Sequence, residues 1–353
     1  MNILVRGTNW IGDAVMSVPA LRRLRRSFPN AKITLLTRDW AEGIFGDADF
    51  LDEIVTIRSG RSAVRSVIEQ VSAIRSHKFD LAIVLPNSFE SALGARLSRA
   101  GRVFGYATDG RGFLLTDRAA VPEWKNSRHE VFYYLNLVEA VERAYGIDPA
   151  SDVPFNEPNL PVSEERKADA RAILSQQGVD LSRPTVALAA GSKNSRAKRW
   201  DTAKFSELAD ALVSRAGANV ILIGAPDEAE TSLAVRAGSI QPLVDLTGKT
   251  GLGEAAAILA VSDLLVSNDM GLAHLAPAAG TPTIVIFGPT NPVTTGPLHE
   301  NSSVVRVDVE CSPCMLRECP IDHRCMTRIS VESVFSRAVE FIEAGRAENE
   351  HKQ

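Results

Sequence analysis

Residues 262–290 most constrain what this chain can become. Ser262 to Val266 is a short, mostly apolar run, the pattern of a parallel strand buried on both faces. Ser267, Asn268 and Asp269 are helix-start residue types, and Gly271 lets backbone come close to a ligand. The spacing predicts a helix over 273–279, stopped by Gly280 and Pro282. A further strand then runs into Phe287-Gly288-Pro289-Thr290. A strand that feeds a helix through polar residues and glycine suits a phosphate group. Free backbone N–H groups and the positive end of the helix dipole both point at it.

The same alternation fills the rest of the chain. In the first half, strands are expected at 2–6, 32–37, 53–57, 80–85 and 102–106. The turn 7–13 leads into a helix carrying Val15, Val18, Leu21 and Leu24, with Pro19 forcing a kink or restart. Helices are also expected at 62–77 and 129–145, the former with Val64, Val67, Ile68, Val71 and Ile74 on one face. Pro86-Asn87-Ser88 reads as a helix cap. Four prolines crowd 146–161, the composition of a linker. Beyond it come helices at 163–177, 201–215, 226–237, 252–261 and 330–344, and strands at 185–189, 219–223 and 243–246. Two βα runs separated by a linker predict two doubly wound α/β domains, 1–155 and 156–353. Each would bind at the C-terminal edge of its sheet, so the active site is expected in a cleft between them. The last helix, 330–344, is expected to pack back toward the first domain.

Composition narrows the class. Apolar residues make up 45% and charged residues 23% of the 353, ordinary for a globular protein. No apolar run reaches the roughly 18 residues of a membrane span, and the N-terminal apolar core is too short for a signal peptide, so a cytoplasmic location is expected. A net charge of −4 argues against general nucleic-acid binding. Residues 1–150 carry 20 Lys/Arg against 17 Asp/Glu, and residues 151–353 carry 19 against 26. The mildly basic first half suits an acidic partner.

Gly7-Thr8-Asn9-Trp10-Ile11-Gly12-Asp13 has the glycine spacing of a P-loop, but Asp13 stands where phosphate would need Lys. It also lacks Gly-x-Gly-x-x-Gly. A carboxylate at a helix N-terminus is held as the anion by about 0.3–1 kcal/mol and can take a proton from a hydroxyl nucleophile; plain capping is the alternative. The run 190–200 is rich in small polar and cationic residues, and Lys198 precedes a helix as a point charge for phosphate. In Gly224-Ala225-Pro226-Asp227-Glu228 an acid at a strand end can bind ribose or simply cap. His274 alone reads as a packed residue. Arg22-Arg23 and Arg25-Arg26 form a basic patch, either solvated or facing an anionic membrane or acceptor. Cys311, Cys314, Cys319 and Cys325, with His323 nearby, allow a structural zinc or reduced packing cysteines. No catalytic metal is expected.

Taken together, Ile3-Leu4-Val5 with Trp10-Ile11-Gly12-Asp13, Leu85-Pro86-Asn87-Ser88-Phe89, Ala197-Lys198-Arg199-Trp200, 267–274, Phe287-Gly288-Pro289-Thr290 and Cys311-Ser312-Pro313-Cys314 resemble the ADP-heptose:lipopolysaccharide heptosyltransferases over nearly the whole chain. The resemblance implies a GT-B fold: two Rossmann-like domains facing across a cleft, donor nucleotide in the second, acceptor on the first. It implies inverting transfer of heptose from ADP-heptose, without metal or cofactor, to a lipid-linked inner core, adding the second heptose to the first. The enzyme would touch the inner leaflet of the cytoplasmic membrane peripherally. Asp13 matches the family's proposed base and Lys198 its phosphate-contacting lysine. Asp269, Met270, Gly271 and Leu272 match the donor turn, with Gly191, Ser192, Glu228 and His274 joining the donor side. Thr8, Asn9, Trp10, Gly12, Asn87 and Ser88 are the expected acceptor side. Met270 departs from the Ser or Thr often found after the turn aspartate, so a hydroxyl contact is lost there. Transfer to another heptose position or from another ADP-sugar is the nearest alternative. A nicotinamide-dependent oxidoreductase and a non-enzymatic nucleotide binder are more distant ones.

Overall fold

The computed structural model describes residues 1–58, 62–149, 157–193 and 195–351, without the side chains of 348–351. It divides into two compact units, Met1–Leu160 and Pro161–Gln353. The boundary expected at 155/156 lies outside the described residues.

The first unit is a parallel sheet of β1 (Asn2–Arg6), β2 (Lys32–Arg38), β3 (Glu53–Ile57), β4 (Leu81–Val84), β5 (Arg102–Tyr106) and β6 (Asp117–Ala119), in the order β3-β2-β1-β4-β5-β6. The second repeats the plan with β7 (Thr185–Ala189), β8 (Asn219–Leu222), β9 (Val244–Asp245), β10 (Leu264–Asn268), β11 (Thr283–Ile286) and β12 (Ser302–Val305), in the order β12-β11-β10-β7-β8-β9. The central strands are covered on both faces, so Ile3, Leu4, Val186, Ala187, Leu264 and Leu265 are all fully buried; this is why they read as continuous apolar runs. The edge strands β6 and β12 escape the sequence pattern, because Asp-Arg-Ala and Ser-Ser-Val-Val carry too little apolar signal.

In each sheet the chain leaves its first strand to one side, then returns to build the other side. The reversal falls between β1 and β4 in the first unit and between β7 and β10 in the second. A crevice opens at the C-terminal ends of the strands at such a switch point, and the motifs singled out above leave those strands.

Local chemistry accounts for several departures. Pro19 restarts the first helix: Ile11–Met16 ends and Val18–Ser27 begins with proline in its first turn, where a missing N–H leaves no bond unmade. Ser267 and Asn268 do not start a helix. They are the buried last residues of β10, and the helix Leu272–Ala278 is capped by Gly271. Helix Ala63–Ile74 buries only part of its apolar face, Ile74 fully and Val67 and Val71 by half. Ser66, Gln70 and Ile74 point inward while Val64 is 70% and Ile68 63% exposed. The last helix runs Val331–His351 and lays Val334, Phe335, Ala338 and Ile342 into the second unit's own core.

Candidate active site

In the first unit, the turn after β1 delivers Asp13 as the third residue of helix Ile11–Met16. Tyr134, on the distant helix Glu130–Ala144, donates its hydroxyl to Asp13 Oδ1 at 3.0 Å. Burial pushes the Asp13 carboxyl above the ordinary range; the Tyr134 hydrogen bond opposes this, Glu130 adds to it, and Lys125 opposes it. Burial therefore outweighs the helix-terminus stabilisation anticipated from sequence, leaving a stronger base.

The rest of this turn is anchored from below. Asn9 Oδ1 accepts from Arg6 Nη2 at 2.9 Å and from Arg38 Nε at 3.0 Å. Arg6 is fully buried, and burial beside Arg38 pulls it down to about 9. Thr8 is buried, Gly12 is half-buried, and Trp10 is 59% exposed. At the neighbouring strand end, Asn87 Oδ1 accepts from Tyr133 at 3.1 Å, and Ser88 caps helix Phe89–Leu97 through the Ser91 amide. The structure thus brings Asp13 to the end of β1 and Asn87 and Ser88 to the end of adjacent β4. Tyr133 and Tyr134 were missed, because nothing local in the sequence marks a tyrosine that meets a partner across the fold.

The basic patch at Arg22 to Arg26 is not a free cationic face. Arg23 is buried and makes a forked pair with Glu142, with Glu139 beside it. Arg22 pairs with Asp49 and Arg25 with Asp52.

In the second unit, Lys198 Nζ lies 2.7 Å from Asp269 Oδ2, and the Thr290 hydroxyl donates to the same oxygen at 2.6 Å. Asp269 is buried and Lys198 partly exposed, so the carboxylate fixes the ammonium while leaving it further donors. Asn268 ties this turn to the end of β7: its amide donates to the carbonyls of Ala190 and Gly191, and its oxygen accepts the Trp200 amide. Ser192 is buried, and its carbonyl takes both Nε and Nη2 of Arg199. Met270 and Gly271 are half-buried at the turn, while Leu272 and His274 are buried in the helix that follows.

Glu228 lies across Gly191. A Cβ there would fall 1.9 Å from Glu228 Oε1, so only glycine fits. Glu228 Oε2 accepts the Ala225 amide at 2.9 Å, which is the capping role considered from sequence. Oε1 is buried and has no hydrogen-bond partner among the described residues. Burial pushes this carboxyl up, the Ala225 amide opposes, Asp227 adds, and Arg199 and Lys193 oppose. A buried acceptor lacking a donor is costly, and a ligand hydroxyl would satisfy it.

Cys311, Cys314, Cys319 and Cys325 are free, and among the described residues no three His, Cys, Asp or Glu side chains gather as a metal cage. Cys325 is buried, and with Met326 it closes over Gly288.

The architecture defines the class first. Two parallel, doubly wound domains make up a GT-B glycosyltransferase: the solved structure of E. coli ADP-heptose LPS heptosyltransferase II matches with a TM-score of 0.82 and 26% identity, covering 98% of this chain and 100% of that one. The family follows from sequence. The model for glycosyltransferase family 9 (heptosyltransferase) matches residues 67–324. Lipopolysaccharide heptosyltransferase 2 of Salmonella typhimurium is 30% identical over 317 residues, 87% of this chain and 88% of that protein. Lipooligosaccharide heptosyltransferase 2 of Haemophilus influenzae is 28% identical over 313 residues, covering 87% and 89%. The chain belongs to glycosyltransferase family 9.

Proposed function

We propose that the protein transfers L-glycero-D-manno-heptose from ADP-heptose to the lipopolysaccharide inner core, with inversion, adding the second heptose to the first. Besides family membership, one observation carries the donor half: a fixed cation, Lys198 on Asp269, joined through Asn268 and Gly191 to the unpartnered acceptor Glu228 Oε1. A nucleoside diphosphate presents the matching groups, phosphate oxygens for the first and a ribose hydroxyl for the second.

The step is a single displacement. The acceptor hydroxyl attacks the anomeric carbon and yields its proton to Asp13, whose burial makes it a better base than an exposed carboxylate. The bond to the departing phosphate breaks, and its electrons remain on ADP. Lys198 and the backbone amides around Gly271 take up the growing charge electrostatically. Asp269 is a positioning residue for Lys198, not the base. Because Asn9, Asn87 and Ser88 already make internal bonds, they shape the acceptor pocket as much as they touch it.

The acceptor's lipid anchor places the work at the inner leaflet of the cytoplasmic membrane, with the enzyme cytoplasmic and peripheral. Among the described residues no helix is long and apolar enough to cross a membrane. The test is transfer from ADP-heptose to truncated core acceptors, each one heptose short of a product. Transfer to the acceptor that carries one heptose is expected. Preference for another acceptor would move the position, and no transfer to any would overturn the assignment.

A further inference from the structure

Helices Ala63–Ile74 and Phe89–Leu97 pack side by side in the first unit. The first leaves part of its apolar side facing water. Its inward side is polar over its first two turns, with Ser66 and Gln70 both bonding Glu90 and Gln70 also taking Arg6, and becomes apolar only at Ile74. Its outward side carries Val64 and Ile68, one turn apart. The second helix also presents apolar residues outward, with Phe89, Leu93 and Leu97 at successive four-residue steps. Phe89 and Leu97 are exposed and Leu93 is half-buried. Phe89 continues this surface to Phe113, which is 68% exposed, with ring centroids 6.0 Å apart.

Among the described residues, the exposed charges on these two helices and the turn that follows are arginines. Arg65, Arg96 and Arg99 are exposed. The carboxylates on these two helices, Glu69 and Glu90, are each engaged: Glu69 accepts the Arg58 amide at 3.1 Å, and Glu90 binds Ser66 and Gln70 with Arg38 3.6 Å away. Apolar side chains interleaved with exposed guanidinium groups match an anionic bilayer surface. The side chains enter the headgroup boundary, and the cations meet phosphate. The patch at Arg22 to Arg26 cannot do this, because three of its four arginines are already paired with carboxylates.

We propose that the outer face of helices Ala63–Ile74 and Phe89–Leu97, extended by Phe113, docks the enzyme on a bilayer rich in anionic phospholipid. It rests on the proposal that the acceptor is lipid-linked, and it adds the surface by which the enzyme reaches that acceptor.

The experiment is vesicle flotation of the full chain, without donor or acceptor. Wild type is expected to float with phosphatidylethanolamine/phosphatidylglycerol vesicles, to be released by high salt, and to stay behind with pure phosphatidylcholine. The V64S/I68S and R65E/R96E variants should each lose at least roughly tenfold in binding, since one removes insertion and the other attraction. Both should keep the wild-type Tm and wild-type transfer to a delipidated, soluble acceptor. Wild type failing to float with anionic vesicles, or either folded variant floating as well as wild type, would overturn the proposal. So would a wild-type dimer that V64S/I68S dissociates, since the face would then be a contact between copies. Because flotation needs no substrate, absence of heptosyl transfer would leave the docking result standing by itself.

Discussion

Tyr134 and Asp13 lie 121 positions apart in the chain and meet in a 3.0 Å hydrogen bond in which the phenol donates. Tyr134 is thereby a positioning residue for the proposed base. The bond favours the ionised carboxylate, against the burial that disfavours it. Tyr134→Phe should therefore raise the Asp13 pKa further, moving the acidic limb of the kcat/KM profile to higher pH. The profile around this site is also exposed to Glu130 and Lys125, so those residues stay unchanged in the comparison. An unmoved acidic limb with normal kcat would remove Tyr134 from the mechanism.

Asp13→Asn should lower kcat by at least about 100-fold while ADP affinity stays close to wild type. It should also stabilise the protein at neutral pH. A folded-state pKa raised above 3.8 means the folded chain holds this proton more tightly than the unfolded chain. Stability from this group is present below the unfolded value and is lost as pH rises through the folded one. The Tm advantage of the Asn variant should thus be largest at neutral pH and vanish in acid. A lower Tm at pH 7 would mean the carboxylate is not ionised against a burial penalty.

Lys198→Ala should weaken ADP binding by calorimetry at least about tenfold, by removing a charge-assisted contact to phosphate, and should slow transfer. It also leaves Asp269 buried with Thr290 as its remaining partner among the described residues. Lys198→Arg keeps the charge and should recover part of the affinity. If ADP binds the Ala variant as tightly as wild type, the lysine serves Asp269 and not the donor.

Gly191→Ala forces either Glu228 or the strand end to move, since the new methyl would occupy the carboxylate's position. A loss of about 1–3 kcal/mol in stability is expected from overpacking, together with weaker ADP binding. Equal affinity for ADP in the Ala variant would show that Glu228 Oε1 does not face the donor.

Arg23→Ala should cost about 3–5 kcal/mol of stability, because Glu142 would be left buried without its cation, keeping only the Ser27 hydroxyl among the described residues. The kcat/KM of the folded fraction should not change. A variant of normal stability with impaired acceptor KM would return the basic patch to a substrate role.

Much of the fold was legible because its signals are local. Strands buried on both faces read as apolar runs, and the first and fourth strands of each unit are apolar except at their ends, where buried Arg6, Ser267 and Asn268 lie. Their turns carry glycine and polar residues where a strand hands over to a helix at a switch point, so Asp13 and Asp269 stand out as candidates without coordinates. The errors were of another kind. Periodicity put Val64, Val67, Ile68, Val71 and Ile74 on one helix face, but it could not say that the fold would bury Ile74, half-bury Val67 and Val71 and leave Val64 and Ile68 exposed. Side-chain type showed that Asn268 could cap a helix, but its partners proved to be carbonyls just past the end of a strand, 77–78 residues away.

From sequence alone came two parallel α/β domains, the positions of their switch points and the residue types offered there. Tertiary structure decided which cations are already paired, which acceptor is left unpartnered, and which carboxylate burial makes basic. The physical reason is the range of each force. Backbone preference and apolar periodicity act over a few residues and are written in neighbours. Desolvation and hydrogen bonding act between groups such as Tyr134 and Asp13, which become neighbours only once the chain has folded.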